Sequence, residues 1–214
     1  MSEPLLEIDA FIRANTRIAA PPLVPEVRMH LADDAVALWE MTEATLEKIG
    51  LPPPFWAFAW AGGQALARYV LEHPEIVRGK RVWDVGAGGG LLAIAASLAG
   101  ASEAHAFDID PFATHAARLN AALSGAAVQA WTRDVVGAPS DADVILVGDL
   151  CYERDTAARL IAWLQVANAA ETLLGDPGRT YLPKSGLARL AEYDVPTIRT
   201  IEDADLKRTG IWRL

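Results

Sequence analysis

The run Val82-Trp83-Asp84-Val85-Gly86-Ala87-Gly88-Gly89-Gly90, followed at once by the apolar stretch Leu91–Ala99, constrains this chain more than any other feature. A β-rich segment ends in glycines, and a helix begins directly after them. Glycine takes positive φ at no steric cost and lets a ligand approach the backbone, so this is the first turn of a βαβ unit with a candidate binding loop. The pattern downstream agrees. Strands are predicted at Arg81–Val85, Glu103–Phe107, Ala127–Trp131, Asp143–Val147, 172–175, 193–200 and 209–214. Helices are predicted at Leu91–Ala99, Pro111–Leu123 and from Arg154 to about Ala169, the second with proline in its first turn, where it is tolerated. Strands alternating with helices imply a mostly parallel sheet with helices on both faces. Such sheets bind ligands outside the carboxyl ends of their strands.

Two proline-rich breaks, Pro21-Pro22 with Pro25 and Pro52-Pro53-Pro54, set off the first part of the chain. Residues 3–14 carry apolar side chains at helical spacing. Val27, Met29 and Leu31 alternate like a short strand, and Asp33 or Asp34 is placed to cap a helix running to about Ile49. A further helix is predicted over Gln64–Leu71. The fold class is therefore α/β: a Rossmann-like, seven-stranded, mostly parallel sheet with helices on both faces and a small N-terminal extension. Residues 1–54 form the extension and 55–214 the main domain.

Composition excludes several classes. With Lys+Arg 19 and Asp+Glu 28 the formal charge is 19 − 28 = −9, which disfavours general nucleic-acid binding, since phosphate contacts need Lys and Arg. The single cysteine, Cys151, permits no intramolecular disulfide. The four histidines show no pair at metal-ligand spacing, so no metal site is expected. Met1–Ala10 is acidic and lacks a basic residue, unlike a secretory or transit segment. The longest apolar stretch, Leu91–Ala101, is too short to span a bilayer. The expectation is a cytoplasmic protein, monomeric, with no nucleic-acid or membrane partner.

Three ligand classes use loops of this kind. The phosphate-cradling pattern fails because no Lys-Ser or Lys-Thr follows the glycines. The dinucleotide pattern G-x-G-x-x-G, started at Gly86, meets Leu91 where Gly or Ala is required. The pattern acid-x-G-x-G-x-G is met in full by Asp84, Gly86, Gly88 and Gly90, and it resembles motif I of class I S-adenosylmethionine-dependent methyltransferases. That cofactor is a sulfonium with an amino-acid tail and no pyrophosphate. A strand-end acid suits its ammonium, directly or through water. Asp84 with the backbone of Gly86, Ala87 and Gly88 is the expected cofactor contact. Asp108, 24 residues after Asp84 at the next strand end, suits the two ribose hydroxyls, while Asp110 suits the cap of the following helix.

By the same resemblance the loop after Trp131-Thr132-Arg133-Asp134 meets the adenine. Asp134 is expected to accept from the exocyclic amine, and Trp131 or Val135 to pack on the ring; core packing of Trp131 is an equal alternative. The fourth strand ends in Gly148-Asp149-Leu150-Cys151-Tyr152-Glu153, beside the transferable methyl in this fold. It differs from the Asn-Pro-Pro-Tyr of enzymes that methylate planar nitrogens. An Asp in place of Asn suits an aliphatic amine, which a carboxylate attracts as ammonium and orients as the neutral amine. Gly148 and Asp149 are thus expected at the cofactor's reactive end, with Asp149 catalytic and Tyr152 lining a lysine channel. Cys151 lacks a nearby base and reads as a small buried filler. In Pro54–Gln64, unusually aromatic, Trp60 is expected near the sulfonium or methionine part of the cofactor. A hydrophobic plug under the sheet is the alternative reading of that segment.

Four segments together, residues 55–69, 84–90, 148–153 and 175–183 (Gly-Asp-Pro-Gly-Arg-Thr-Tyr-Leu-Pro), resemble the electron transfer flavoprotein β-subunit lysine methyltransferases, over about residues 10–214. The alanine-rich composition and N-terminus resemble a bacterial member of that group. The resemblance implies S-adenosylmethionine as cofactor, S-adenosylhomocysteine as product, and transfer of methyl groups to lysines of the flavoprotein β-subunit. A ribosomal-protein lysine methyltransferase is the first alternative. A small-molecule methyltransferase and a cofactor-binding module without activity are the others.

Overall fold

The structure is a computed structural model that describes residues 3–32, 38, 53–197 and 204–214. In chain order its elements are α1 (Glu3–Ala14), β1 (Thr16–Ala19), β2 (Met29–Ala32), α2 (Ala61–Glu72), β3 (Arg81–Val85), α3 (Leu91–Leu98), β4 (Glu103–Asp108), α4 (Pro111–Ser124), β5 (Gln129–Thr132), β6 (Val144–Gly148), α5 (Arg154–Leu164), β7 (Glu171–Asp176), β8 (Ala188–Pro196) and β9 (Leu206–Arg213). The helix expected from Asp33 or Asp34 to Ile49 lies outside the described residues, as do the last three residues of the strand expected at 193–200. α5 stops at Leu164, earlier than expected, because its apolar face ends there: Trp163 and Leu164 are buried, and Val166 is 79% exposed. β1, which no sequence pattern marks, pairs antiparallel with β2.

The seven-stranded sheet has the order β5-β4-β3-β6-β7-β9-β8. β3 to β7 run parallel, and β9 lies antiparallel to both β7 and β8. The chain winds outward from β3 through β4 to β5, then returns to the other side of β3 as β6. The switch point therefore falls between β3 and β6. Both sheet faces are covered, which explains why the inner strands read as nearly continuous apolar runs. On β6, Val144 and Leu146 join α2 and α3 in one core with Leu66, Val70 and Ile94. Ile145 and Val147 point the other way and pack with Trp83, Phe107, Leu160 and Trp163 under α5. The N-terminal elements sit on α4: Phe11 meets Phe112 edge-on at 5.5 Å, and Asp9 pairs with His115 Nδ1 at 2.8 Å. No described helix is long and apolar enough to cross a membrane.

One contact positions the rest. Gly148 and Gly175 are register partners at the ends of β6 and β7, leaving a bare patch on the sheet. The first turn of α2 lands on it backbone to backbone. A methyl group on Gly62 would overlap the Gly175 carbonyl oxygen, and one on Gly175 would overlap the Gly62 carbonyl oxygen. A methyl on Gly148 would stand 2.9 Å from Gly63 Cα. Substituting Gly62 or Gly175 by alanine is expected to lower stability by about 1–3 kcal/mol through forced backbone displacement. Urea unfolding of the two variants measures it, and unchanged midpoints would refute the tight junction.

Candidate active site

A cleft of about 450 Å³ opens at the carboxyl ends of β3, β4 and β6, at the switch point of the sheet. The glycine loop forms its floor. Gly86, Gly88 and Gly90 adopt φ of 68°, 50° and 81°, conformations that side chains rarely tolerate. The loop hangs on the end of β4: Gly86 and Ala87 N–H donate to the Phe107 carbonyl at 2.9 and 3.1 Å. Asp108 Oδ2 accepts from Gly88 N–H at 2.8 Å and its Oδ1 from Asp110 N–H at 3.0 Å. Asp110 caps α4 by accepting from Phe112 N–H, as the sequence implied.

Asp84 is 1% exposed, yet it lines the cleft. Its Oδ2 accepts from Ala93 N–H at 3.0 Å and so caps α3, whose N-cap position, Gly90, has no side chain to do it. Burial pushes its carboxyl up to about 7, with the Asp108 charge adding to the effect and the α3 amides opposing it. Burial also raises Asp108 and brings Asp110 to about 6. Cation-seeking acids thus crowd one end of the cleft.

At the other end stands Asp149, the one non-glycine with positive φ (63°) among the described residues. Asp is among the few side chains that tolerate this region. The conformation turns the carboxylate onto the N-terminus of α2, where Oδ2 accepts from Gly62 N–H at 2.7 Å. Oδ1 accepts from Arg179 Nε at 2.5 Å, and Asp149 N–H donates to the Gly175 carbonyl at 2.9 Å. Tyr152 is half-exposed at the mouth, its ring 5.7 Å from Phe55. Burial and the charge of Asp108 raise its phenol, which stays neutral. Cys151 is buried, its thiol pushed up to about 12 by burial and by Asp176, in keeping with an inert filler.

The aromatic segment roofs the cleft, with Phe55, Trp56, Phe58 and Trp60 in its wall. Trp56 stacks on Phe112 at 6.2 Å, so the segment is anchored as well as lining. Trp60 Nε1 donates to the Phe55 carbonyl at 2.9 Å. Asp134 reaches the cleft and pairs with Arg159; Val135 lines it too. Trp131 does not line it. Its indole lies on the edge strand, 48% exposed, and donates to His105 Nδ1 at 3.2 Å. Asp84, Gly86, Ala87, Gly88, Asp108, Asp134, Gly148, Asp149, Tyr152 and Trp60 are brought together in one cleft.

Sequence reasoning assigned no role to three groups here. Gly62 supplies the amide that holds Asp149, and Arg179 supplies the cation. Asn120, fully buried on α4, donates to the Gly89 carbonyl at 2.9 Å and accepts from His30 N–H at 2.7 Å, tying the loop to β2. Only Arg179 left a signal, through the Gly-Asp-Pro-Gly-Arg segment.

A family profile described as ribosomal protein L11 methyltransferase (PrmA) matches residues 64–150. The electron transfer flavoprotein beta subunit lysine methyltransferase of Danio rerio is 38% identical over 97% of this chain and 83% of its own length. The human protein of the same name is 34% identical over 96% of this chain and 81% of its own. A ribosomal protein L11 methyltransferase of Bacillus pumilus is 36% identical, but over only 41% of this chain. Among solved structures, the ribosomal protein L11 methylase of Lactobacillus delbrueckii subsp. bulgaricus superposes with a TM-score of 0.52 at 23% identity, covering 73% of this chain and 80% of its own. The magnesium protoporphyrin IX methyltransferase of Synechocystis, solved with S-adenosylmethionine bound, gives 0.54 at 14% identity, covering 85% and 97%.

The raised Asp84 carboxyl has a consequence for stability. Its folded pKa of about 7 lies above the unfolded value of 3.8, so the folded state holds the extra proton between these values. The buried charge therefore costs stability as pH rises through that window. Asp84→Asn, which keeps the acceptor for Ala93 N–H, is expected to melt a few degrees above the native chain at pH 8 and level with it near pH 4. It is also expected to lose cofactor binding at pH 8. Thermal denaturation across pH checks the first expectation, and an advantage that shrinks with rising pH would contradict it.

Proposed function

The chain belongs to the electron transfer flavoprotein beta subunit lysine methyltransferase family, and from that premise we propose what each part of the cleft does. It is an S-adenosylmethionine-dependent protein-lysine N-methyltransferase acting on the β-subunit of electron transfer flavoprotein. The observation that carries this reading at the site is a buried carboxylate, Asp149, at the end of β6, across a glycine-floored cleft from the paired acids Asp84 and Asp108.

The residues fit the cofactor. Gly86 and Gly88 line the cleft with left-handed backbone and no side chain. Asp84 receives the ammonium of the methionine tail, and Asp108, whose carboxylate lines the cleft, the ribose hydroxyls. Asp134 accepts from the adenine amine, and Val135 packs on the ring. Trp60 presents its face near the sulfonium, since aromatic faces attract cations. Asp149 and Gly148 border the methyl, and Tyr152 lines the path of the lysine. Residues 1–54 are an extension, of which Met29 and Pro53 line the cleft; residues 55–214 carry the rest of the site.

When bound, the cofactor supplies a methyl group already activated by positive sulfur. The lysine nitrogen forms the new N–C bond as the S–C bond breaks, the electron pair stays on sulfur, and the ammonium proton goes to solvent. Lysine has a reference pKa of about 10.4, so the neutral amine must be favoured locally. The aromatic roof excludes water from the reacting atoms. The surplus of acid on the enzyme, −9 in formal charge, favours encounter with a basic protein segment. A cytoplasmic monomer with no nucleic-acid or membrane partner completes the reading.

Incubation with labelled S-adenosylmethionine and either recombinant flavoprotein β-subunit or ribosomal protein L11 tests the substrate. Label on flavoprotein lysines is expected, and label on L11 alone would overturn the assignment. Asp149→Asn, which preserves shape and tolerance of positive φ, is expected to lower transfer ~10²-fold or more while calorimetric cofactor affinity holds. Full turnover in that variant would remove Asp149 from the reaction.

A further inference from the structure

We propose that Arg179 is a positioning residue of the methyl transfer: paired with Asp149 at the inner end of the lysine path, it fixes that carboxylate and keeps the arriving amine neutral. The inference rests on the reading of the chain as a lysine methyltransferase.

The residue is aimed by its own loop. Asp176, 2% exposed at the end of β7, accepts from Gly178 N–H and Arg179 N–H, both at 2.7 Å, and Gly178 turns the chain with φ 88°. The turn is thus clamped by a buried carboxylate and sends Arg179 back across the sheet end to Asp149. The guanidinium lies 5.9 Å over the Trp60 ring. Asp149's side chain is 4% exposed and Arg179's 22%, so the pair sits where solvent screens weakly. Arg179 also belongs to two cavities. It lines the reaction cleft, and it lines an outer groove with Thr180, Leu182, Leu187 and Trp212. It stands where a side chain from outside would meet the cleft.

The charges at this point decide which form of the amine the site favours. A lone Asp149 would trap an incoming ammonium, the form that cannot attack a methyl group. Here the carboxylate is offset by a guanidinium and by the α2 N-terminus, so the pair presents no net anion to the amine. The other groups facing this point are Asp176 and the neutral Cys151 thiol behind the pair, the neutral Tyr152 phenol at the mouth, Asp84 and Asp108 across the cleft, and the Asp134–Arg159 pair at its far end. Without Arg179, Asp149 keeps the Gly62 amide but loses its cation, and the net anion beside the amine favours the ammonium.

The test measures kcat against pH, at saturating recombinant flavoprotein β-subunit and S-adenosylmethionine, for the native chain, Arg179→Gln and Arg179→Lys. In this regime the rising limb reports the proton lost in the assembled complex. Arg179→Gln is expected to move that limb about one pH unit toward alkali, while calorimetric cofactor affinity stays within about twofold. Arg179→Lys, which keeps the charge, is expected to keep the native limb. A lower kcat with the limb unmoved in Arg179→Gln would reduce Arg179 to a structural part and overturn the inference, as would a limb displaced equally in Arg179→Lys. Arg179→Met serves the same comparison should Arg179→Gln fail to fold by circular dichroism. Absence of transfer by the native chain would instead sink the underlying activity, and so the two failures are distinguishable.

Discussion

The architecture depends on one backbone-to-backbone contact, the seating of the α2 N-terminus on the bare ends of β6 and β7. Glycines on both sides are what permit it, since any Cβ at Gly62 or Gly175 would occupy the other's carbonyl. The approach brings the Gly62 amide to the Asp149 carboxylate, and Asp149 accepts a left-handed backbone to meet it. A helix N-terminus carries partial positive charge, so the contact also makes a buried carboxylate tolerable. The aromatic segment leads directly into α2, and the position of the roof follows from the same junction.

The acids around the cleft serve twice. Asp84 caps α3, Asp108 holds the glycine loop, Asp110 caps α4 and Asp176 clamps the turn that carries Arg179. Each is buried or half-buried at a cost in desolvation that its amide partners only partly offset, which is why these carboxyls titrate above their ordinary range. A site so furnished before any ligand arrives has backbone amides fixed and cation acceptors in place.

Within this arrangement the two ends of the cleft carry different information. The glycine floor and the acids at β3 and β4 lie in the stretch that the ribosomal protein L11 methyltransferase profile matches. The aromatic roof at Phe55–Trp60 and the Asp176–Arg179 turn lie outside that stretch, and they line the same cleft as Asp149, which lies within it.

Much of this was written locally. Alternating apolar runs, glycine breaks and caps disclosed the α/β order, because period and turn chemistry are properties of neighbouring residues. Asp84, Asp108 and Asp149 could be named as strand-end acids because a parallel sheet delivers every such residue to one edge. Trp131, expected on the adenine ring or in the core, lies half-exposed on the edge strand, since what covers the face of an outer strand is not written in its neighbours. The sequence alone thus determined the fold class, the cofactor loop and the acids that line it. Only the tertiary structure decided that Gly62 and Arg179 hold Asp149 and that Asn120 ties the loop to β2. Those partners lie 87, 30 and 90 residues apart, and no local pattern encodes which distant groups close packing will set face to face.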